Sequence, residues 1–162
     1  MSDSGVTKQG DPESRLAKLN IQLPGAPTPF GSYVEALQTG NLLFLSGMLP
    51  VIDHRPACVG IVGKQLDTKA GKAAARIAAL SALAATQNHL GTLNRISRVV
   101  RLGIFMVAAQ DFVDHPKVAD GASDLFRDVF GEESMAVRTV IGVASLPLGV
   151  PVELEATFEL KE

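Results

Sequence analysis

The sequence of 162 residues has little of several residue types that mark common protein classes. Its single cysteine, Cys58, excludes a disulfide within the chain. It has no tryptophan and one tyrosine, which argues against a surface that stacks nucleic-acid bases. No run approaches the roughly 20 apolar residues that a membrane-spanning helix needs, and the polar N-terminus has no apolar signal core. We therefore expect a cytoplasmic protein without a membrane partner.

Neither sign of charge is in large excess. The formal net charge is −2, from 15 Lys and Arg against 17 Asp and Glu, and the basic residues are scattered along the chain. Without a basic stripe or tail, binding to nucleic acid is not expected. The histidines, His54, His89 and His115, show no spacing typical of metal ligands, so no metal site is expected.

What the sequence does have is the pattern of a mixed α and β domain. Residues 1–10 are polar and are expected to form a disordered N-terminal tail, and residues 11–162 are expected to form a single domain. A short helix is predicted from Asp11-Pro12, where an N-cap residue precedes a proline. Two longer helices are predicted over residues 68–90 and 115–130, each with apolar side chains at helical spacing and a glycine after it.

Apolar runs bounded by turn residues predict the strands, and residues 51–56 are predicted to be a loop. The predicted strands are residues 32–37, 42–46, 58–62, 96–108, 137–144 and 152–160. Mixed strands with two main helices imply an α+β two-layer domain with both helices on one face of the sheet. The opposite face then needs cover, and a second copy of the chain would supply it.

The last two predicted strands carry the residues most suggestive of chemistry. In residues 152–160 the acids Glu153, Glu155 and Glu159 alternate with apolar side chains, which places the acids away from the helices. If residues 137–144 pair with this strand as a hairpin, Arg138 and Glu153 share that face. A turn near Leu146-Pro147 makes them diagonal neighbours, and a turn near residues 148–149 places them farther apart.

Spacing alone leaves two interpretations of Arg138 and Glu153 open. The first is a cross-strand salt bridge on the surface, which contributes little to stability. The second is a pocket in which the Arg138 guanidinium binds a carboxylate with two hydrogen bonds while Glu153 activates water.

The order of several short motifs resembles the Rid/YjgF family of reactive-intermediate (enamine/imine) deaminases. The matching pieces are, in chain order, GSYVEA at 31–36, GNLLFLSGMLP at 40–50, Asp111-Phe112, Phe130-Gly131, Arg138-Thr139-Val140, Leu146-Pro147 and Val152-Glu153-Leu154-Glu155. The resemblance spans residues 31–160, and it is to a divergent branch rather than to the best-known deaminases.

This resemblance implies a chorismate-mutase-like fold and a homotrimer whose acid-lined sheet faces form a central barrel, with clefts between subunits. It implies hydrolytic deamination of 2-imino or 2-enamino acids to 2-oxo acids and ammonia, without a metal or an organic cofactor. Arg138 would bind the substrate carboxylate and Glu153 would position water. The cleft would also be lined by Tyr33, Ser46, Gly47 and the main chain of Val140.

The sequence departs from the family pattern at three positions. Met48 stands where the family often has glutamine, and Val140 stands where it often has cysteine. Asp120 is the nearest match to an asparagine that often reaches a neighbouring cleft, and an acid there would repel an anionic substrate. These departures support an alternative function on the same scaffold, which is non-catalytic binding of a small carboxylate-bearing metabolite such as a 2-oxo acid, or regulation by it.

Overall fold

The computed structural model describes residues 10–162, so the predicted disordered tail lies outside the described residues except for Gly10. The elements, in chain order, are α1 (Pro12–Lys18), β1 (Ala36–Thr39), β2 (Leu42–Leu45), β3 (Val51–Ile52), β4 (Arg55–Pro56), α2 (Thr68–Leu90), β5 (Ile96–Met106), α3 (His115–Phe130), β6 (Val137–Gly142) and β7 (Val152–Leu160). Short 3-10 turns follow α2, α3 and β6 at Leu93–Arg95, Glu132–Ser134 and Pro147–Gly149. Within residues 10–162, no helix has the length and apolar character needed to cross a membrane.

Capping contacts set the helix boundaries, and those at Asp11 and Gly91 were predicted. The Asp11 side chain accepts a hydrogen bond from the backbone N–H of Ser14 at 2.9 Å and begins α1. The Asp67 side chain accepts from the N–H of Ala70 at 2.7 Å and begins α2. Gly91 ends α2 with a φ of 79°, a left-handed conformation that favours glycine.

The main sheet has five strands in the order β1-β2-β7-β5-β6. All its neighbouring pairs are antiparallel except β5 and β6, which are parallel. The predicted hairpin between residues 137–144 and 152–160 is therefore wrong, because β5 lies between β6 and β7. The crossover helix α3 connects β5 to β6, which makes these strands parallel neighbours, and β7 then enters on the other side of β5.

Two smaller expectations are also corrected. Residues 51–56 form a small hairpin of β3 and β4 rather than a loop, and its turn residues Asp53 and His54 have φ angles of 50° and 62°. Positive φ at both central residues is the geometry of a type I′ turn, which Asn-Gly signals more clearly than Asp-His does. Residues 58–62 do not form a strand, since Val62 makes only isolated bridges to Leu66 and Ala108.

The helices α2 and α3 pack on one face of the sheet, which confirms the α+β two-layer architecture. Three phenylalanines mark the centre of this core, with ring centroids 5.8 to 6.0 Å apart: Phe126, Phe130 and Phe158. The facing side of α2 is mostly alanine, so the helices approach closely. One point of close approach is Gly121 on α3, where an added Cβ atom would overlap the backbone carbonyl oxygen of Lys72 on α2.

One glutamate, Glu13, holds the N-terminal end of α1 in place. The Glu13 carboxylate accepts hydrogen bonds from the Thr92 hydroxyl at 2.6 Å and the Leu93 N–H at 3.1 Å, while the Glu13 N–H donates to Asn94 Oδ1 at 3.1 Å. The Thr92 hydrogen bond, more than any other contact, lowers the pKa of Glu13 below its usual 4.5. The ionised carboxylate therefore stabilises the fold above that pH, and this contribution is lost as the pH falls through the lowered pKa.

Replacing Glu13 with glutamine is expected to lower the free energy of unfolding by about 1 kcal/mol at pH 7, because a charge-assisted acceptor at a partly exposed site becomes a neutral one. The difference from wild type should shrink as the pH falls from 4.5 through the lowered pKa of Glu13, because the wild-type carboxylate then becomes protonated. Urea denaturation at pH 7 and pH 3.5 measures both values. Glu133→Gln, at an exposed position, is the matched control, and an equal deficit at both pH values would contradict the role of the charge.

Candidate functional site

A cleft of about 380 Å³ lies where the segment before β1, the end of β2 and the start of β7 meet. Its lining includes the predicted residues Tyr33, Ser46, Gly47 and Glu153. Glu153 is far in sequence from the other three, and the pairing of β2 with both β1 and β7 brings them together.

Two hydroxyl groups line this cleft in fixed orientations. The Ser46 hydroxyl donates to the carbonyl oxygen of Val34 at 2.6 Å, so its oxygen is left as an acceptor. The Tyr33 hydroxyl accepts from the N–H of Phe30 at 3.0 Å, so its proton is left to donate. The cleft therefore offers both a hydrogen-bond donor and an acceptor to a small polar molecule.

The position of the Glu153 carboxylate depends on Gly47. A Cβ atom on residue 47 would overlap the carboxylate of Glu153, so only glycine leaves room for it. The backbones next to these residues are joined by hydrogen bonds in both directions between Met48 and Leu154. Met48, which departs from the family pattern, is buried in the core and lies outside the cleft lining.

Glu153 has the electrostatic character of an acid–base group. Burial raises the pKa of the Glu153 carboxyl above its ordinary value, and the neighbouring charge of Glu155 raises it further. Glu155 and Glu159 on the same strand have basic partners, at 3.8 Å from Arg101 and 3.2 Å from Arg98. Glu153 has none among the described residues. A carboxyl group with a raised pKa exchanges protons more readily near neutral pH.

Arg138 lies on the opposite face of the sheet from Glu153, which overturns the expectation that they share a face. Arg138 pairs with Leu102 of β5, whose side chain is in the helix-side core, whereas Glu153 pairs with Phe105 on the other face. The Arg138 Nη1 atom donates to Asp120 Oδ1 on α3 at 2.8 Å. A cross-strand bridge and an intrachain pocket between Arg138 and Glu153 are both excluded by this geometry.

The predicted site residues thus form two groups within one chain. Tyr33, Ser46, Gly47 and Glu153 line the cleft. Arg138 lies on the edge strand β6, and Asp120 lies on α3. Val140 is half-buried and packs against the core on the same side of the sheet as Arg138. None of these last three lines the cleft.

The apolar walls of the cleft were missed by the sequence analysis. They are formed by Phe30, Leu49 and Pro147. The signal for Phe30 was an aromatic residue directly before Gly31, and it is 53% exposed although large and apolar. Leu49 and Pro147 lie within the family motifs at 40–50 and 146–147, but their place in the cleft follows from the packing of separate loops. The walls would suit a ligand with a small apolar side chain.

The sheet face opposite the helices is partly apolar and partly ion-paired. Its exposed large apolar side chains are Leu37, Phe44, Val137 and Ile141. The pairs Arg98–Glu159 and Arg101–Glu155 neutralise two of its acids, so the face is less acidic than the alternation of β7 alone predicted. Within residues 10–162, no cluster of His, Cys, Asp or Glu has the arrangement of a metal site.

Comparisons with known proteins agree with this architecture. The family model described as "YjgF/chorismate_mutase-like, putative endoribonuclease" matches residues 13–155. Protein TCP17 of Trypanosoma cruzi is 40% identical over 156 residues, which cover 96% of this chain and 98% of that protein. A 2-iminobutanoate/2-iminopropanoate deaminase of Dermatophagoides farinae is 28% identical and covers 84% of this chain and 91% of its own.

Among solved structures, one described as a putative endoribonuclease from Shewanella oneidensis MR-1 superposes with a TM-score of 0.89 at 32% identity. The match covers 93% of this chain and 100% of that one. The matched family model, the relatives and the fold agree, and the chain belongs to the Rid/YjgF (YjgF/chorismate-mutase-like) family.

Proposed function

We propose that the protein hydrolyses reactive 2-imino and 2-enamino acids to 2-oxo acids and ammonia. The observation that carries this proposal is the Glu153 carboxyl, half-buried over Gly47 with a raised pKa, in a cleft with the hydroxyls of Tyr33 and Ser46. The relative from Dermatophagoides farinae that is named as a 2-iminobutanoate/2-iminopropanoate deaminase supports it.

In the proposed reaction, Glu153 takes a proton from water as the water oxygen attacks the imine carbon. The product of this step is a tetrahedral carbinolamine, and the same carboxyl then returns the proton to the amine nitrogen. Collapse of the N-protonated carbinolamine breaks the C–N bond, forms the C=O bond and passes the hydroxyl proton to water, and ammonia leaves. A raised pKa suits a group that accepts a proton and then donates it, and Tyr33 and Ser46 would orient the polar end of the substrate.

Arg138 is proposed to bind the substrate carboxylate in a cleft completed by a second copy of the chain. Its own Glu153 is on the other face of the sheet, so one chain does not supply both groups to one ligand. Arg138 lies on an edge strand, β6, where another subunit can approach. The exposed apolar residues opposite the helices, including Val137 and Ile141, are the surface that a homotrimer would cover.

Replacing Val137 with aspartate is expected to shift the protein from trimer to monomer at micromolar concentration and to remove most of its deaminase activity. Val137 is 70% exposed in the single chain, and an unpaired charge buried in an interface costs several kcal/mol. Light scattering coupled to size-exclusion chromatography measures the mass. Leu19→Asp, at a 48% exposed apolar residue after α1, is the control that should stay trimeric. A monomeric wild type would rule out the shared cleft.

The experiment for the activity itself generates 2-imino acids with an amino-acid oxidase and follows the release of 2-oxo acid and ammonia with and without the protein. Faster release that requires both Arg138 and Glu153 is the expected result. No acceleration with any imino acid, or full acceleration by Arg138→Ala, would contradict the proposal.

A second candidate function is binding of a 2-oxo acid without turnover, and one contact favours it. Asp120 is bonded to Arg138 Nη1, so the guanidinium is partly neutralised and polarises a bound substrate less, although its Nε and Nη2 atoms can still hold a carboxylate. Calorimetric binding of 2-oxobutanoate that depends on Arg138, with no acceleration of imine hydrolysis, would select this function over catalysis.

A further inference from the structure

One terminal nitrogen of the Arg138 guanidinium, Nη1, is held by side chains of α3. This atom donates to Asp120 Oδ1 at 2.8 Å and to Ser123 Oγ at 2.9 Å. A guanidinium carries two N–H groups on Nη1, so both are engaged. The Nε and Nη2 atoms point their N–H groups to the same side and form a two-pronged donor, the Nε–Nη2 fork. This fork has no hydrogen bond to residues 10–162.

The two acceptors hold Arg138 in one orientation because they act from the same side. Asp120 and Ser123 are three residues apart on α3 and therefore share a face of that helix. Both bonds end on one nitrogen, which turns the Nε–Nη2 fork away from α3. That fork matches the two oxygens of a carboxylate. The side chains of Arg138 and Asp120 are 24% and 44% exposed, so a ligand can reach the pair from solvent.

The charge of Asp120 has a second consequence for the ligand. A carboxylate on the free fork is attracted by Arg138 at hydrogen-bond distance and repelled by Asp120 from farther away. A ligand that also carries a positive nitrogen is repelled less, because the nitrogen offsets the repulsion of its carboxylate. The protonated form of a 2-imino acid has such a nitrogen, and a 2-oxo acid does not.

We propose that Asp120, together with Ser123, positions Arg138 and sets its preference for zwitterionic over purely anionic carboxylates. The proposal rests on the proposed function in one respect, which is that the ligand carboxylate binds Arg138. Asp120 is then a positioning residue that acts through Arg138, and its charge would favour release of the 2-oxo acid product over that of the protonated imino acid.

Calorimetry with 2-oxobutanoate and L-2-aminobutanoate as probes tests the charge preference, since the two acids have similar size but different charge. Asp120→Asn keeps an oxygen acceptor for Nη1 and removes the charge. We expect this variant to bind 2-oxobutanoate about five-fold tighter, with a change below about two-fold for L-2-aminobutanoate. Unchanged preference between the two probes, or weaker binding of 2-oxobutanoate, would overturn the proposal.

A ligand-free measurement tests the positioning. The NMR signal of the Arg138 Nε–H group, assigned by its loss in Arg138→Lys, should show restricted motion in wild type and in Asp120→Asn. It should show greater motion in Asp120→Ala and, to a smaller degree, in Ser123→Ala. Equal mobility of Arg138 in wild type and Asp120→Ala would refute the positioning role.

Arg138→Ala distinguishes failure of the carboxylate site from failure of the role proposed for Asp120. If this variant binds 2-oxobutanoate as tightly as wild type, the carboxylate site of the proposed function fails and the charge preference fails with it. If Arg138→Ala abolishes binding while Asp120→Asn leaves both affinities unchanged, the site stands and only the present inference is wrong. Circular dichroism of each variant confirms that the fold is retained.

Discussion

Glutamine in place of Glu153 is expected to reduce imine hydrolysis by about 100-fold or more, because a positioned proton-transfer group contributes about that much to a rate. Glutamine has the same shape, so it should still fit over Gly47, and binding of a 2-oxo acid to the cleft should persist. Release of 2-oxo acid in the oxidase-coupled assay measures the rate. Glu159→Gln is the matched control, since Glu159 lies on the same strand and face but pairs with Arg98.

The same variant should be more stable than wild type. Burial raises the pKa of Glu153, so the folded protein holds this proton more tightly than the unfolded chain does. The stability of wild type therefore declines as the pH rises from the usual glutamate value of 4.5 through the raised pKa. Glutamine removes this loss, and we expect a melting temperature higher by about 2 °C at pH 8 and equal to wild type near pH 4. Equal stability at every pH would mean that Glu153 ionises without cost.

The pH profile of the rate gives an independent check on the role of Glu153. A base must be ionised, so the acid limb of the profile should follow the raised pKa of Glu153. Glu155→Gln removes one of the two causes of that shift and should move the limb to lower pH. If the acid limb does not move in Glu155→Gln and is still present in the residual activity of Glu153→Gln, a group other than Glu153 produces it.

Local chemistry made the helices predictable from the sequence. The Asp67 cap and Gly91 define α2 by contacts within one helical turn, so no knowledge of the rest of the fold is needed. The burial of β7 was equally predictable, because strict alternation leaves one arrangement that buries its apolar side chains.

Strand pairing was not predictable in the same way, because it depends on contacts between distant segments. Nearness in sequence favoured a hairpin of β6 and β7, but β5 lies between them. The predicted sheet face of Arg138 was wrong for a related reason. Residues 137–142 carry apolar side chains at both odd-numbered and even-numbered positions, so alternation does not show which set faces the helices. The parallel register with β5 decides it, and only the fold supplies that register.

The cleft shows the same division between local and distant information. Tyr33, Ser46, Gly47 and Glu153 were identified through the order of family motifs, and the structure brings them together. Spacing alone would not have joined them, since Glu153 lies more than 100 residues after the other three. Phe30 lies outside those motifs, and Leu49 lies inside one of them without being marked as a cleft residue, so both join the cleft only through the packing of loops.

Alanine in place of Gly121 is expected to destabilise the protein by about 3 kcal/mol or to prevent its accumulation in folded form. Alanine favours helix over glycine by about 1 kcal/mol, so an open site would give the opposite sign. Here the added methyl group would overlap the carbonyl oxygen of Lys72. That oxygen belongs to the backbone of α2 and has no rotamer by which to move away, so the two helices must separate.

Urea denaturation followed by circular dichroism measures this effect, with two glycines as references. Gly25→Ala has open space around it and should change stability by less than about 0.5 kcal/mol. Gly71→Ala on α2 should lie between, because its methyl group would sit 3.2 Å from side-chain carbons of Val118 and Val62. If Gly121→Ala were as stable as Gly25→Ala, the close crossing of α2 and α3 would be wrong. Gly121 follows Asp120 directly, so a displaced α3 should also release the Arg138 guanidinium from Asp120. The close packing of α3 on α2 therefore helps to set the geometry of the proposed carboxylate site.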